Sequence, residues 1–139
     1  MPFPLEYSRA RDDFYDFMLD VRETSGLTSS HQTYTMVQGV FQAFRRRLSL
    51  EDAIRFASAL PVGLRALFVD HWDVEEPRKD FTDDLAVLEE VRALREKHNF
   101  SPDHAIEAVV GALWKHVDTA RFEAMLAKLP GPAQAFWRR

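Results

Sequence analysis

Through most of this chain apolar residues recur at spacings of three and four, and the pattern breaks at glycine, proline or a capping polar residue. Phe14, Phe17, Met18 and Val21 fall on one face of a helix predicted over about 7–23, with Gly26 placed to end it. Residues 1–5 carry two prolines and read as an extended arm. Ser29 or Ser30 can cap a second helix, whose stripe of Tyr34, Val37, Phe41, Phe44 and Leu48 is close to a seven-residue repeat. A third helix begins near Ser49, with Glu51 and Asp52 in the first turn, where the dipole favours carboxylates, and carries Ile54, Phe56, Ala57 and Leu60. Pro61 stops it, because proline donates no amide hydrogen and pushes the preceding residue out of the helical region. A short fourth helix then turns Leu64, Leu67 and Phe68 inward.

Residues 69–80 (VDHWDVEEPRKD) are charged and contain Pro77, which predicts a connector. The pattern then restarts. Leu85, Leu88, Val91 and Leu94 make one stripe, which Asn99 helps to stop; Ser101-Pro102-Asp103 is a strong helix start, followed by Ile106, Val109, Val110, Leu113 and Val117. Asp118 or Thr119 caps a helix with Phe122, Met125, Leu126 and Leu129, and Pro130 opens a last one ending at Phe136 and Trp137. Overlaid with short gaps, Phe14 pairs with Val87, Gly39 with Gly111, and Pro61, Leu67 and Phe68 with Pro130, Phe136 and Trp137. The order of caps, stripes and Leu-Pro breaks predicts a tandem duplication. Repeat one spans about 7–68, the connector about 69–80 and repeat two about 81–138. Each copy alone is marginal for independent stability. The expectation is therefore one all-α domain of about eight helices, two four-helix repeats sharing a core with pseudo-twofold symmetry, the first helix of each near the axis.

Composition sharpens this picture. At 139 residues the chain has single-domain length, and a domain of that size buries roughly 68% of the surface its unfolded chain exposes. Eleven Phe and three Trp supply bulky core material, which suits angled helix crossings. A net charge of −4 argues against a dedicated nucleic-acid partner. No cysteine is present, which excludes a disulfide framework, a thiolate nucleophile and a cysteine metal site. No run approaches the apolar length needed to cross a bilayer, and the first residues lack the pattern of a secretory signal, so a soluble, cytoplasmic protein without membrane contact is expected.

The run FYDFMLDVRETSGLTSSHQTY, the segment ALP-x-x-LRALF, the helix start HNFSPDHA and the closing LP…FW resemble the bacterial "domain of unknown function 2267" family, from about Phe3 to Trp137. The resemblance implies a small, soluble, all-helical bacterial protein. It brings no catalytic residues, because its motifs are structural punctuation. Gly131-Pro132 stands where the first copy has Val62-Gly63, so the last helix is expected to start later or run shorter than its counterpart.

Several residues invite a chemical reading, and each has a simpler one. Asp70, His71 and Asp73 could ligate a metal, but the stretch reads as solvated connector. His104 and Glu107 share a helix face, with His98 near, yet capping and surface pairing account for them. His31 beside Ser29 and Ser30 lacks the glycine-flanked turn of a nucleophile. The five glycines form no phosphate loop. Gly39 and Gly111 hold equivalent mid-helix places, which points to close helix approach or, as the sharper alternative, to backbone approach by a ligand. Arg45, Arg46 and Arg47 are the one basic run: a site for an anion or acidic partner, or cations complementing a helix C-terminus. Finally, Val110 and Trp114 align with Gln38 and Gln42, widening the second copy's apolar stripe. That strip is either covered within the chain, the favoured account, or exposed as an interface.

These residues contain no convergent catalytic set. The function expected is a non-enzymatic interaction or scaffold module, without a cofactor, acting on an unknown protein partner or on itself as a homodimer. Its candidate surface is Val110 and Trp114, or the Arg45–Arg47 edge. The alternative is a protein binding a small molecule or ion in a pocket between the repeats, near Gly39 and Gly111.

Overall fold

In a computed structural model, which describes residues 3–139, every regular element is helical. A single turn, α1 (Leu5–Ser8), follows Pro4 and leads into α2 (Ala10–Ser25). The part of the expected extended arm that is described, Phe3 and Pro4, is therefore shorter than predicted: Pro4, locked at φ −52°, serves as N-cap. Gly26 ends α2 in the left-handed conformation, φ 79°, and returns its N–H to the Arg22 carbonyl. Ser29 caps α3 (Ser30–Arg45) by accepting from Gln32 N–H, and Ser49 caps α4 (Leu50–Ser58) by accepting from Asp52 N–H. Pro61 is the N-cap of α5 (Val62–Val69), so the Leu-Pro break is the corner that the sequence predicts.

Beyond the connector, Asp83 caps α6 (Asp84–Ala93). Asn99 stops it directly, its amide donating to the Val91 and Leu94 carbonyls at 2.7 and 2.8 Å. The Ser101 cap does not form. Asn99 Oδ1 accepts from both the Ser101 N–H and its hydroxyl, and α7 (Ala105–His116) starts at Ala105. Asp118 caps α8 (Thr119–Leu126), and Pro130 opens α9 (Gly131–Trp137), which has seven residues against eight in α5. No helix among the described residues is long and apolar enough to cross a membrane.

The central element is α3, the second helix of the series rather than the first: 12 of its 16 residues are buried, against 4 of 16 in α2. It packs on α2, α5, α6 and α7. A glycine permits the closest of these contacts. At Gly39 an added Cβ would lie 3.0 Å from the Val91 carbonyl oxygen, so glycine here is what lets α3 and α6 approach. Gly111 is different, with open space beside it and solvent exposure.

Toward its C-terminus α3 delivers Phe44 into an aromatic cluster that draws on both ends of the chain. Phe44 packs against Phe56, Phe136 and Trp137 with ring centroids 4.8, 5.0 and 5.3 Å apart, edge-on to Trp137. Phe56 in turn meets Phe68, Trp137 and Phe122 at 5.0, 5.1 and 5.8 Å. Such ring pairs contribute about 0.5–1.5 kcal/mol each beyond the area they bury. Two stripe residues behave otherwise than their spacing predicts: Ile54 is 57% exposed and Leu85 70%. Each sits at the edge of its stripe, where the helix has turned toward solvent and no neighbouring element covers it.

Phe56→Ala removes a ring that touches residues before and after the connector. It should cost about 3–5 kcal/mol, with far- and near-UV circular dichroism still falling in one urea transition. Two separated transitions would contradict a shared core.

Candidate functional site

The basic run lies where α3 ends and the chain turns toward α4. A buried helix end leaves carbonyls that water cannot reach, and these residues supply the donors. Arg46 N–H donates to Gln42 O, Arg47 N–H to Phe44 O, and Leu48 N–H to Arg45 O. The Arg47 side chain curls back to donate to Ala43 O at 2.8 Å. Arg45, 2% exposed, reaches across to α5 and donates through Nη1 to Phe68 O at 2.8 Å and Asp70 O at 3.1 Å. Arg45 therefore binds the end of α3 to the end of α5, and all three arginines complement the helix dipole.

The connector folds back over this corner. Arg46 donates to Glu76 at 2.7 Å, and its carbonyl accepts from Lys79 N–H at 2.9 Å. From α6, Glu90 receives Arg47 at 2.5 Å and Arg46 at 3.2 Å, with the Lys79 ammonium at 3.6 Å. Burial works to raise the Glu90 carboxyl, but the Arg47 hydrogen bond and the charges of Arg47, Lys79 and Arg46 outweigh it and hold the group below its ordinary value of 4.5.

Arg45 has a different balance. Arg46 and Arg47 reach carboxylates, whereas Arg45 forms no ion pair among the described residues; its buried Nε, like that of Arg47, finds no hydrogen-bond partner among them. Burial pushes its guanidinium below the ordinary value, the charge of Arg46 adds to that, and Glu76 and Asp70 act in the opposite direction. Its planar head lies 5.1 Å from the centre of the Trp72 ring, a cation–π contact. Beside it opens a cavity of about 200 Å³ between the α3–α4 corner and the connector, lined by Arg45, Arg46, Ser49, Leu50, Trp72 and Arg78, with Glu76 also in its wall. Ser49 and Leu50 place the N-terminal end of α4 at this cavity, which adds the positive end of a helix dipole to the cationic side.

The other candidates go elsewhere. Val110 is 2% exposed and lies in the core, and Trp114 packs on Phe122 at 4.8 Å and donates to the Trp137 carbonyl at 2.6 Å. Val110 is thus buried within the chain, α7 packing mainly on α2 and α3, while the half-buried Trp114 reaches α8 and α9. His71 is exposed at φ 55° with its ring 3.5 Å from Asp70. His104 meets the Thr24 carbonyl at 3.2 Å while Glu107 turns to Arg139 at 3.5 Å, so the pair does not converge. His31 stacks on Tyr34 and contacts Arg95; Ser29 is spent as a cap, and Ser30 accepts from Arg22. Among the described residues no group of three or more His, Asp or Glu is placed to hold a metal ion. With Val91 against Gly39 and solvent beside Gly111, the two glycines enclose no common pocket.

Trp72, Glu76, Arg78 and Glu90 escape a reading of the sequence. A tryptophan inside a charged connector is the one signal that this segment packs rather than floats.

The molecule is thus an all-helical protein organised round a buried helix end capped by arginines. The chain belongs to the DUF2267 family, described as "Uncharacterized conserved protein (DUF2267)", whose model matches residues 14–136. No curated protein matches it.

Since Glu90 titrates below 4.5 in the folded chain, its stabilisation is complete above that value and is lost as the pH falls through the folded-state value. Glu90→Gln should lower stability at pH 7 by about 2 kcal/mol and flatten the acid limb below the ordinary carboxylate value of 4.5. Urea denaturation across that range checks both, and an unchanged acid limb would contradict the assignment.

Proposed function

We propose that this chain is a non-enzymatic interaction module whose recognition centre is the cavity beside Arg45, and that it takes an anionic group from a protein partner. One observation carries this reading: a buried guanidinium with no ion-pair partner among the described residues, standing in a cavity wall with Arg46 and Arg78, where Glu76 and Asp70 act on it only from beyond contact distance. Arg78 is exposed and forms no ion pair among the described residues. An anion there would supply the countercharge that carbonyl oxygens give only in part. The volume of about 200 Å³ decides between a whole ligand and a single group. Small-molecule sites run to about 300–1,000 Å³, so this cavity suits one carboxylate or phosphate presented by a larger partner.

The tandem duplication belongs to the same proposal. After the single turn α1, four helices of 16, 16, 9 and 8 residues precede the connector and four of 10, 12, 8 and 7 follow it, an order that supports two copies of one unit. In that reading the first copy keeps the cavity at its α3–α4 corner. The second copy has no basic run at the α7–α8 corner, where Lys115-His116-Val117-Asp118 stands instead. A cytoplasmic, bacterial setting is part of the proposal and rests on the acidic, cysteine-free composition and the family resemblance.

Titration with inorganic phosphate at constant ionic strength, followed by ¹⁵N–¹H spectra, tests the centre. Arg45, Arg46, Ser49, Arg78 and the Trp72 indole should shift together and saturate, and Arg78→Ala should weaken the response about three- to fivefold. Unsaturated shifts scattered over all surface cations would contradict it.

A second reading, self-association, draws support from the N-terminal helices. Phe3, Leu5, Tyr7 and Tyr15 are all exposed, next in sequence to an apolar groove of about 390 Å³ whose lining includes Phe14, Met18, Leu19 and Tyr34. Light scattering after size exclusion should then return a dimer that Leu5→Glu with Tyr7→Glu dissolves; a monomer at about 100 μM would end this second reading.

A further inference from the structure

The outer face of α4 continues from the Arg45 cavity. Leu50, 55% exposed, lines that cavity, and Ile54, 57% exposed, follows one turn later on the same face. Ile54 then forms the near wall of a second cleft, about 350 Å³, between α4 and α8, with Met125 also in its lining and Arg55, Arg121 and Lys128 around it. The three cations differ in how far they are already committed. Arg55 pairs with Asp52 at 2.7 Å, Arg121 donates to the Ser58 carbonyl at 2.5 Å, and Lys128 forms no ion pair among the described residues. An exposed apolar ridge of Leu50 and Ile54 thus runs along α4 for about 6 Å, with cations at both ends, on a chain whose net charge is −4. Glu51 is the one exposed acid on α4 itself, in the first turn at the Arg45 end.

We infer that α4 is the floor of a docking surface for an acidic amphipathic helix of a partner protein. This rests on the anion-accepting reading of the Arg45 cavity and adds the form of the partner. Charge complementarity selects it. A helix with apolar residues at i, i+3, i+4 and i+7 covers Leu50 and Ile54, while a carboxylate at one end enters the cavity beside Arg45 and acids at the other meet Arg121 and Lys128. The apolar ridge makes the contact more than charge attraction. The net negative charge elsewhere repels acidic segments that do not lie along α4.

The test uses the full chain and a fluorescein-labelled sixteen-residue synthetic helix of that pattern, with Glu at both ends and Leu on one face, read by anisotropy against a scrambled peptide of equal composition. The patterned peptide should bind at least about tenfold more tightly than the scrambled one. Ile54→Glu and Lys128→Glu, both at exposed positions, should each weaken it about five- to tenfold without altering the phosphate response of Trp72 and Arg78. Arg78→Glu should weaken both probes. Equal binding of the two peptides, or no effect of Ile54→Glu, overturns the inference. Loss of peptide binding with an intact phosphate response overturns the docking surface while leaving the anion site standing, whereas failure of both probes removes the site as well.

Discussion

A helix that is buried on every side must find partners inside the protein for the carbonyls at its end, and in this molecule arginines are those partners. The last turn of α3 carries Phe44 into the ring cluster with Phe56 and Trp137, and Arg45, Arg47 and Leu48 at its end are buried. Arg47 returns to the Ala43 carbonyl and Arg45 ties α5 to the same corner. Once these side chains are committed, the connector has little freedom: Glu76 and the backbone of Lys79 are drawn onto Arg46, and Glu90 carries α6 to the same place. Core packing and surface topology therefore share one cause.

The same arrangement explains why the corner has unused capacity. Capping calls for N–H donors, and arginine brings them together with a full positive charge. Two of the three charges are neutralised by Glu76 and Glu90; the third, on Arg45, is met by carbonyl dipoles and the face of Trp72. Carbonyls satisfy hydrogen bonds but return only part of the solvation energy of a cation. A structural solution for a helix end thus leaves behind an electrostatic demand, and the cavity beside Arg45 gives an anion access to it.

Much of the fold was legible because local chemistry and global packing agree. Gly26, Ser29, Ser49, Pro61 and Asp118 each do what their residue type requires at a helix end. Where two local signals compete, the sequence is ambiguous. Ser101-Pro102-Asp103 has every mark of a start, but Asn99, recruited to stop α6, captures Ser101 and delays α7 to Ala105. Ile54 and Leu85 fit their stripes by spacing, yet spacing does not reveal whether a neighbour covers the edge of a stripe. The candidate site was half legible. Three consecutive arginines announce a charged corner, but Trp72 and Arg78 arrive from a segment that reads as solvent-facing connector, and Glu90 from a helix more than forty positions away. Val110 and Trp114 illustrate the converse: a widened apolar stripe favours cover from within the chain over an interface, but spacing alone does not name the covering elements, which for Trp114 are α8 and α9.

Hydrogen exchange at the arginine Nε–H groups addresses the buried, arginine-capped helix end most directly. At neutral pH the Nε–H signals of Arg45 and Arg47 should exchange at least about a hundredfold more slowly than that of exposed Arg78, since their release requires the corner to open. Equal, rapid exchange at all three would mean that the corner is solvated, and that neither the cap nor the unneutralised charge exists as described.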